Sequence, residues 1–498
     1  MSAIITEKFR QHNTNQFHES FSETAGNTYY LFLGKATPFT SGTTTGSDSS
    51  PPTPQDGEQD ETRAWDSMLA AKKIASTDIA FAIPRRNWVN GTTFDMYEHD
   101  VSSSNTSTSG ASNLYDSTFY LVTSAFRVYK VLDNNAGTAY DGAEPTSTST
   151  SPFELGGYIL KFMYDISTTD IGKYVTTDFI PVATDSTVSA AATAGSIESL
   201  RITAGSSYTN GTYYAAVYGD GTSQGTASGA IVRITVSGGA IASFGLTAGT
   251  DTTIHAAGVG YTFGYVNLGV GFTFSDTSLS SASAIGGSGG VVEIIPSPEG
   301  GHGKNAITEL GGHFIMTATT ISQAENDDFS TANDFRQVGL MIDPTTFGTS
   351  TVGTASTFRQ TYAVKLATFS GTFEADEVIT QATTLASGKV VEWDSVLQIL
   401  YYQQESYKGF GTSASTGGLV AFSSTATITG GTSGATGTPS STSSETVTLA
   451  NSNTLTLTSG YANPELAADS GDIIYLENRK PIQRASDQTE DIKIIIEF

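Results

Sequence analysis

Apolar residues in this chain come in short runs that are separated by long polar loops. The runs at residues 29–33, 79–84 and 157–165 have the length of single strands, whereas residues 42–60 and 102–113 are rich in Ser, Thr, Pro and Gly. Only 15% of the residues are charged and 52 are Gly, whereas helix-rich chains use more Ala, Leu, Glu and Lys. We therefore predict a mainly β fold.

A few segments interrupt this pattern. Apolar residues recur at multiples of four over residues 4–23, which predicts an amphipathic helix. Residues 61–74 have helical propensity and predict a second helix. Residues 119–132 are predicted as one strand, with Arg127 and Lys130 facing outward.

The domain organisation is predicted from changes in composition and in strand length along the chain. Residues 197–205 recur as residues 241–249, and a fainter repeat follows later, so both regions resemble small β modules inserted into a host domain. We predict one discontinuous core with two such insertions. The predicted parts are core residues 1–185, insertion 186–288, core residues 289–345, a Gly/Ser/Thr-rich insertion 346–463, and core residues 464–498.

Charge and hydropathy exclude several partners. The formal net charge is −25, and basic residues occur only as isolated pairs. Nucleic acid and anionic membrane both require clustered Lys and Arg, so neither is an expected partner. There is no signal-peptide pattern and no apolar run of membrane-spanning length, so we expect a soluble protein made in a cytoplasm. Because the chain has no Cys, disulfides and thiolate metal sites are excluded.

Motifs for catalysis or cofactor binding are weak. His302 and His313 are too few for a zinc site, and the glycine-rich residues 300–304 lack the spacing of a phosphate loop. No serine-hydrolase elbow is present, and acidic residues such as Glu325 lie mostly in loops. We therefore expect a protein that is not an enzyme and needs no cofactor.

One loop partly fits a calcium-binding template. Asp133, Asn135, Asp141 and Glu144 occupy its positions 1, 3, 9 and 12, but Thr138 stands where the template requires Gly. A plain polar loop is the favoured interpretation, and calcium binding stays open.

The sequence Arg85-Arg86-Asn87-Trp88 follows an apolar strand that Pro84 ends. Two guanidinium groups beside an indole can stack and can bind carboxylates in a bidentate manner. An internal structural role and a subunit contact are both open interpretations.

The C-terminal segment, residues 470–498, contains two apolar stretches that flank a polar one. This pattern suggests a sheet hairpin that carries a recognition patch. We expect the segment to lie across the core beside residues 335–344. Five polar residues are the best candidates for holding this segment against the core or for contacting a neighbouring subunit. They are Glu477, Asn478, Arg479, Asp487 and Gln488.

Several of these motifs occur in the order found in one family. The sequence Ile83-Pro84-Arg85-Arg86-Asn87-Trp88 is close to that family's I-P-R-R-D-W, with Asn87 in place of the acid. Phe335-Arg336-Gln337 is similar to its F-R-Q segment, and residues 474–490 are similar to its C-terminus. On these motifs the chain resembles the T-even-type phage baseplate wedge proteins called gene product eight, and its repeats are similar to those of larger cyanophage members.

The resemblance implies a structural protein with a β-sandwich core and a few short helices. It further implies a homodimer that contacts other wedge proteins in the baseplate of a contractile tail. Such a protein belongs to the virion, after assembly in the host cytoplasm, and takes part in baseplate rearrangement. An adhesin that binds host-surface glycan through the insertions is the alternative. The interface candidates are Arg85, Arg86, Trp88, Phe335, Arg336, Gln337, Tyr475, Glu477, Asn478, Arg479, Pro481, Asp487 and Gln488.

Overall fold

The fold is mainly β with a few short helices, which confirms the predicted fold class. The computed structural model describes residues 5–23, 26–39, 46–225, 229–321, 334–406, 412, 418–449, 454–483 and 489–498. The helices of these ranges are α1 (Glu7–Ser20), α2 (Glu58–Ser67), α3 (Thr168–Tyr174), α4 (Ser186–Ala191) and α5 (Ala306–Glu309), with 3-10 turns at Ser76–Asp78, Leu114–Asp116 and Ala282–Ala284. Helix α1 confirms the helix predicted over residues 4–23. None of the described helices is long and apolar enough to cross a membrane.

The strands of the described ranges are short, as the apolar runs predict. In the first half of the chain they are β1 (Tyr29–Gly34), β2 (Met68–Lys73), β3 (Ile79–Pro84), β4 (Tyr120–Val122), β5 (Arg127–Asp133), β6 (Phe153–Leu155), β7 (Tyr158–Asp165), β8 (Phe179–Pro181), β9 (Ser199–Thr203), β10 (Ser206–Tyr208), β11 (Gly211–Gly219), β12 (Ala230–Ser237) and β13 (Ala240–Ile241). They continue with β14 (Thr253–Ala257), β15 (Gly264–Val266), β16 (Gly286–Ser288), β17 (Val291–Ile295), β18 (Phe314–Ile321), β19 (Phe335–Ile342), β20 (Thr357–Arg359), β21 (Tyr362–Ser370) and β22 (Val378–Gln381). The last are β23 (Ala386–Asp394), β24 (Ile399–Gln403), β25 (Ile428–Gly430), β26 (Thr436–Pro439), β27 (Glu445–Thr448), β28 (Thr454–Leu457), β29 (Tyr461–Ala462), β30 (Asp472–Ile482) and β31 (Glu490–Glu497).

The chain forms two compact units, each discontinuous in sequence. Unit 1 comprises Met1–Gln16, Ala80–Met316 and Ile495–Phe498, and unit 2 comprises Phe17–Ile79 and Thr317–Ile494. The core and insertion boundaries proposed from the sequence stay a prediction.

Two large hydrophobic cores lie among the described residues of unit 1, beside a smaller cluster at Ala216, Ile231 and Phe274. One is built around the four-stranded sheet β4-β5-β7-β6 and is rich in buried aromatic residues such as Phe119, Tyr129 and Tyr158. The other lies within the seven-stranded sheet that runs β13-β12-β11-β15-β17-β9, with β14 paired to β12. Buried aromatic side chains supply a large apolar area, which allows these short strands to form a stable interior.

Unit 2 contains an open sheet and a closed one. The open sheet has the order β20-β2-β1-β19-β30, and its central strand β1 is buried along its whole length. In the other sheet, β21 to β26 close on themselves because β24 pairs with β21, and β29 adds to β21. Closure removes free sheet edges, so this ring of strands needs no cover on either side.

A further four-stranded sheet has the order β31-β18-β3-β8. In it, β3 pairs with β8 in an antiparallel register that places Ala82 opposite Pro181. Strand β3 ends at Pro84, as the sequence predicts, so the Arg85-Arg86-Asn87-Trp88 motif begins where this strand stops.

The helix predicted over residues 61–74 is wrong in its second half. Helix α2 ends at Ser67, and the next residues form strand β2. Strand β2 pairs with β1 on one side and with β20 on the other. The helical propensity of Ala and Lys in this strand is overridden because two neighbouring strands satisfy its backbone groups.

The single strand predicted over residues 119–132 is instead two antiparallel strands, β4 and β5, with Tyr120 opposite Lys130. The chain turns between them, where Phe126 adopts a positive φ of 59°. The outward position predicted for Lys130 is also wrong, because its side chain is fully buried and pairs with Glu309. Strand alternation predicts an exposed face only where one side of the sheet meets solvent, and here both sides are covered.

The hairpin predicted for the C-terminal segment is wrong, although its position beside residues 335–344 is confirmed. Strand β30 pairs antiparallel with β19, whereas β31 belongs to a different sheet. The two strands are therefore neighbours in sequence but do not pair with each other.

Candidate assembly interface

Arg336 is the centre of a buried polar cluster in unit 2. Its guanidinium donates to both carboxylate oxygens of Asp48, from Nε at 2.9 Å and from Nη2 at 3.0 Å. Nη2 also lies 2.8 Å from Asp334 Oδ2, and Nη1 donates to the carbonyl oxygen of Ala36. This arrangement uses the planar fork of Arg and ties a distant loop to strand β19.

The cluster shifts the pKa values of its members in opposite directions. Hydrogen bonds from Arg336 hold the pKa of the Asp48 carboxyl below its ordinary value. Burial alone would lower the pKa of Arg336, but the two carboxylates raise it above its ordinary value. Both shifts favour the charged forms, so the pair stays ionised at neutral pH.

Gln337 joins strand β19 to β30 through side chains as well as through the backbone. Its Nε2 donates to Asn478 Oδ1 at 2.9 Å, and the two residues stand opposite each other in the strand register. Asn478 in turn donates to the carbonyl oxygen of Pro52 at 2.9 Å. The hydrogen-bonded amides of Gln337 and Asn478 therefore fix the register of strand β30 and also hold the loop that contains Pro52.

Three residues form a chain of polar contacts along β30. The Tyr475 hydroxyl donates to Glu477 Oε2 at 2.9 Å, and Glu477 Oε1 lies 3.8 Å from Arg479 Nε. The side chains of Glu477 and Arg479 are 42% and 47% exposed. Burial and the bond to Glu477 raise the pKa of Tyr475 to about 12. Alternate residues of a strand share a face, so these three side chains form one accessible polar row.

Strand β30 is the last strand of its sheet. Its residues are all half-buried or exposed, whereas those of β19 are buried except for Ile342. Among the described residues, β19 is the strand that pairs with it, and its other edge pairs with none. Such an edge presents backbone donors and acceptors that another chain can bind.

The remaining candidates of this segment differ in accessibility. Phe335 is buried and anchors the start of β19, whereas Pro481 is half-buried near the end of β30. Asp487 and Gln488 lie outside the described residues. The structure thus groups the candidates of β19 and β30 into one site of unit 2.

Arg85 belongs to unit 1 and contacts neighbouring segments of that unit. Its Nε donates to Asn87 Oδ1 at 2.8 Å, and its Nη1 donates to the carbonyl oxygen of Thr176 at 2.8 Å. The guanidinium also lies 5.7 Å from the centre of the Phe126 ring. The Asn that replaces the expected acid therefore still accepts a hydrogen bond from Arg85.

Arg86 and Trp88 have similar internal contacts. Arg86 Nη2 donates to the carbonyl oxygens of Tyr115 and Asp116, each at 3.1 Å. Trp88 packs edge-on against Tyr140, with ring centroids 5.9 Å apart. These contacts favour the internal structural role for this motif, and its part in a subunit contact stays a prediction.

The calcium-template residues are engaged in local hydrogen bonds. Asp133 Oδ1 accepts from the backbone N–H of Asn135 at 2.8 Å, and burial raises the pKa of Asp133 to about 6. Glu144 accepts from the hydroxyl of Ser124 at 2.6 Å. Within the described ranges, no group of three or more His, Asp or Glu residues is placed to hold a metal ion.

Sequence reasoning missed the partner of Arg336. Asp48 lies in the polar loop predicted over residues 42–60, where nothing in the spacing distinguishes it from its neighbours. Asp334, directly before Phe335, had the proximity that could have identified it. The missed carboxylate is the one that makes the bidentate contact.

Taken together, ion pairs and amide bonds of unit 2 hold an accessible edge strand in place. Residues 3–143 and 443–498 match the model of Phage-Gp8, described as bacteriophage T4 Gp8. These two segments are therefore similar to the Phage-Gp8 family of baseplate wedge proteins, which confirms the resemblance found from the sequence. A search of the curated proteins gave no match.

The family match has a clear extent on the structure. It includes the Arg85-Arg86-Asn87-Trp88 motif and all of strands β30 and β31. It does not include residues 144–442, which contain Phe335, Arg336 and Gln337. The similarity of these three residues to the family's F-R-Q segment stays a prediction, although their contacts with β30 are observed.

Proposed function

We propose that the chain is a dimeric structural subunit of the baseplate wedge in a contractile phage tail. It links neighbouring wedge proteins and takes part in baseplate assembly and in the rearrangement on infection. It acts without catalysis and without a cofactor, is assembled in the host bacterial cytoplasm, and resides in the virion. The family match supports the wedge role, and the dimer and the contacts with neighbours are the finer parts of the proposal.

The observation that carries this proposal is the state of strand β30. It lies inside a family-matched segment and forms the edge of an open sheet. The edge of β30 that pairs with β19 is held by Gln337, while the side chains of Glu477 and Arg479 remain accessible to solvent. A strand that is firmly held on one side and open on the other suits an assembly contact.

Light scattering of the purified chain, followed by mixing with the other wedge proteins, tests the proposal. We expect a dimer that enters a larger wedge complex, seen as a faster-sedimenting species in analytical ultracentrifugation. A monomer that joins no complex with any wedge protein would overturn it.

A second candidate function is binding of host-surface glycan through residues 186–288. Phe263 and Tyr265 are 55% and 51% exposed, and the Tyr265 ring stacks on Tyr218 at a centroid distance of 5.7 Å. Exposed aromatic rings offer flat apolar faces on which sugar rings can stack. The region also lies outside the family match, so a role added to the wedge function is compatible with it.

A glycan array with the full chain and with a Phe263→Ala/Tyr265→Ala variant tests this candidate. We expect binding by the parent chain that the double substitution abolishes. Phe369→Ala is a matched control, because Phe369 is 41% exposed and lies in unit 2. Equal signals from parent and double variant, or no signal from the parent, would exclude this aromatic patch as a glycan site.

A further inference from the structure

The open edge of strand β30 carries a charge pattern that is complementary to itself. Around Asn478 the order of residues is Tyr475, Glu477, Asn478, Arg479 and Pro481. In an antiparallel pair, residues at equal distances from the centre stand opposite each other on the same face. A two-fold axis at Asn478 therefore places Glu477 of each copy opposite Arg479 of the other, and Tyr475 opposite Pro481.

From this pattern we infer that β30 is the contact strand of the homodimer, pairing antiparallel with β30 of a second copy. The inference rests on the dimer of the proposed function and adds its surface and register. An interface with a two-fold axis uses the same patch on both subunits, so a self-complementary strand is what it requires. Extending an open sheet by one strand of a partner also satisfies the free backbone groups of both edges.

The structure holds the participating side chains ready for this contact. Glu477 and Arg479 are about half exposed, and both lie on the row that begins with Tyr475. Their mutual contact within one copy is long, at 3.8 Å, so Arg479 can turn to a partner without losing a short hydrogen bond to Glu477. Glu477 Oε2 accepts from Tyr475, which leaves Oε1 for the partner's guanidinium. Ile474, which is 40% exposed, adds apolar surface near one end of the row.

The net charge of −25 makes the pattern more informative. Two copies of an acidic chain repel each other over most of their surfaces. Self-association therefore needs a local patch with both signs of charge. Glu477 and Arg479 provide that patch at an edge where the backbone can also pair.

Pro481 limits how far the pairing can extend. It lacks a backbone N–H, and it falls where the register between β30 and β19 shifts, between the pairs Phe335–Ile482 and Gln337–Asn478. Proline and lysine also serve to protect sheet edges from pairing. A protected, unpaired edge is therefore the competing outcome, and the experiment separates the two.

Charge reversal at the two positions tests the inference by light scattering and sedimentation equilibrium. Glu477→Arg places Arg opposite Arg twice, and Arg479→Glu places Glu opposite Glu twice. We expect each single variant to raise the dimer dissociation constant about tenfold or more. The double variant Glu477→Arg/Arg479→Glu and an equimolar mixture of the two single variants both restore opposite charges and should dimerise again.

Glu299→Arg is the matched control, because its side chain is 92% exposed and lies in unit 1. It should dimerise like the parent chain. Recovery in the mixture also shows that the single variants are folded. If the parent is a dimer and the single variants dimerise equally well, the contact strand is wrong while the proposed function stands. If the parent chain is a monomer that still joins the wedge, both the homodimer and β30 as its contact strand are wrong. If the parent chain is a monomer that joins no complex, the proposed wedge role is wrong as well.

Discussion

Two buried ion pairs, one in each unit, show opposite balances of burial and pairing. In unit 1, Lys130 Nζ lies 3.1 Å from Glu309 Oε2, and both side chains are almost fully buried. In unit 2, Arg336 is 6% exposed, but its partner Asp48 keeps 31% of its side chain in contact with solvent. Burial lowers the pKa of Lys130, whereas the carboxylate partners raise the pKa of Arg336.

The surroundings of Lys130 explain the difference. Its ammonium lies 3.8 Å from the centre of the Tyr97 ring, which faces a site closed to solvent. Nearby His302 is fully buried as well, and burial together with the charges of Lys130 and Lys161 lowers its pKa well below the ordinary value. Burying the Lys130–Glu309 ion pair therefore costs desolvation energy, which the Coulomb attraction between the two charges must offset.

Arg336 pays a smaller desolvation cost and performs a different task. Its partners come from the loop at Asp48 and from the chain before β19, and they keep access to water. The pair connects segments around the candidate interface, whereas the lysine pair lies inside a hydrophobic core. The comparison teaches that a buried ion pair in this chain is not by itself a sign of function, and that its connections decide its role.

The largest expected effect is that of removing Lys130. Lys130→Met leaves the Glu309 carboxylate buried without its cation, so we expect unit 1 to lose about 3 to 5 kcal/mol of unfolding free energy. Hydrogen exchange measured by mass spectrometry on strands β4 and β5 gives the change. Lys8→Met, at a side chain that is 87% exposed, should leave the exchange unchanged.

A double variant sharpens this test. In Lys130→Met/Glu309→Gln the isolated charge is removed. Gly303 N–H donates to Glu309 Oε2 and Asn305 N–H to Oε1, so the single amide oxygen of Gln keeps one of these two hydrogen bonds. We expect the double variant to be about 1 to 2 kcal/mol more stable than the single variant. A double variant no more stable than Lys130→Met would show that the loss comes from packing around Lys130.

The next effect is that of Arg336→Lys, which keeps the positive charge but removes the bidentate contact. We expect a loss of about 1 to 3 kcal/mol in unit 2, seen as faster hydrogen exchange in β19 and β30. Arg127→Lys is the control, because its partner Asp165 is 52% exposed and such pairs contribute little. Unchanged exchange in β30 would mean that Arg336 does not support the terminal strand.

The sequence predicted the parts of this fold that depend on local pattern. The mainly β class, helix α1, and the position of the tail beside β19 all follow from periodicity or from the resemblance. Two of the failures share one cause, which is the position of a strand among its neighbours. Strand β2 contradicts its propensity because two strands pair with it, and Lys130 contradicts its alternation because both faces of its sheet are covered.

The candidate site shows the same limit. Its residues on β30 could be named in advance because they cluster in one polar segment. Asp48 could not be named, because it lies far along the chain from Arg336 and its loop carries no periodic signal. Long-range partners of this kind depend on tertiary structure and leave no mark in a single sequence.

The smallest effect is expected from a change of pH. It tests whether the Arg336–Asp48 pair stabilises unit 2 through the charge of Asp48 rather than through packing. Because hydrogen bonds from Arg336 hold the pKa of Asp48 low, the folded state stabilises the ionised carboxylate. That contribution is fully present above the unfolded-state pKa of about 3.9 and is lost as the pH falls through the lower, folded-state value. The stability difference in unit 2 between the parent chain and Asp48→Asn should therefore be constant from about pH 7 to pH 5 and should shrink below about pH 4. Urea unfolding followed by hydrogen exchange in β19 measures this difference. A stability difference that keeps its full size at about pH 3 would show that Asp48 acts through its shape and its hydrogen bonds. The Arg336–Asp48 and Lys130–Glu309 pairs would then differ only in how far they are exposed to solvent.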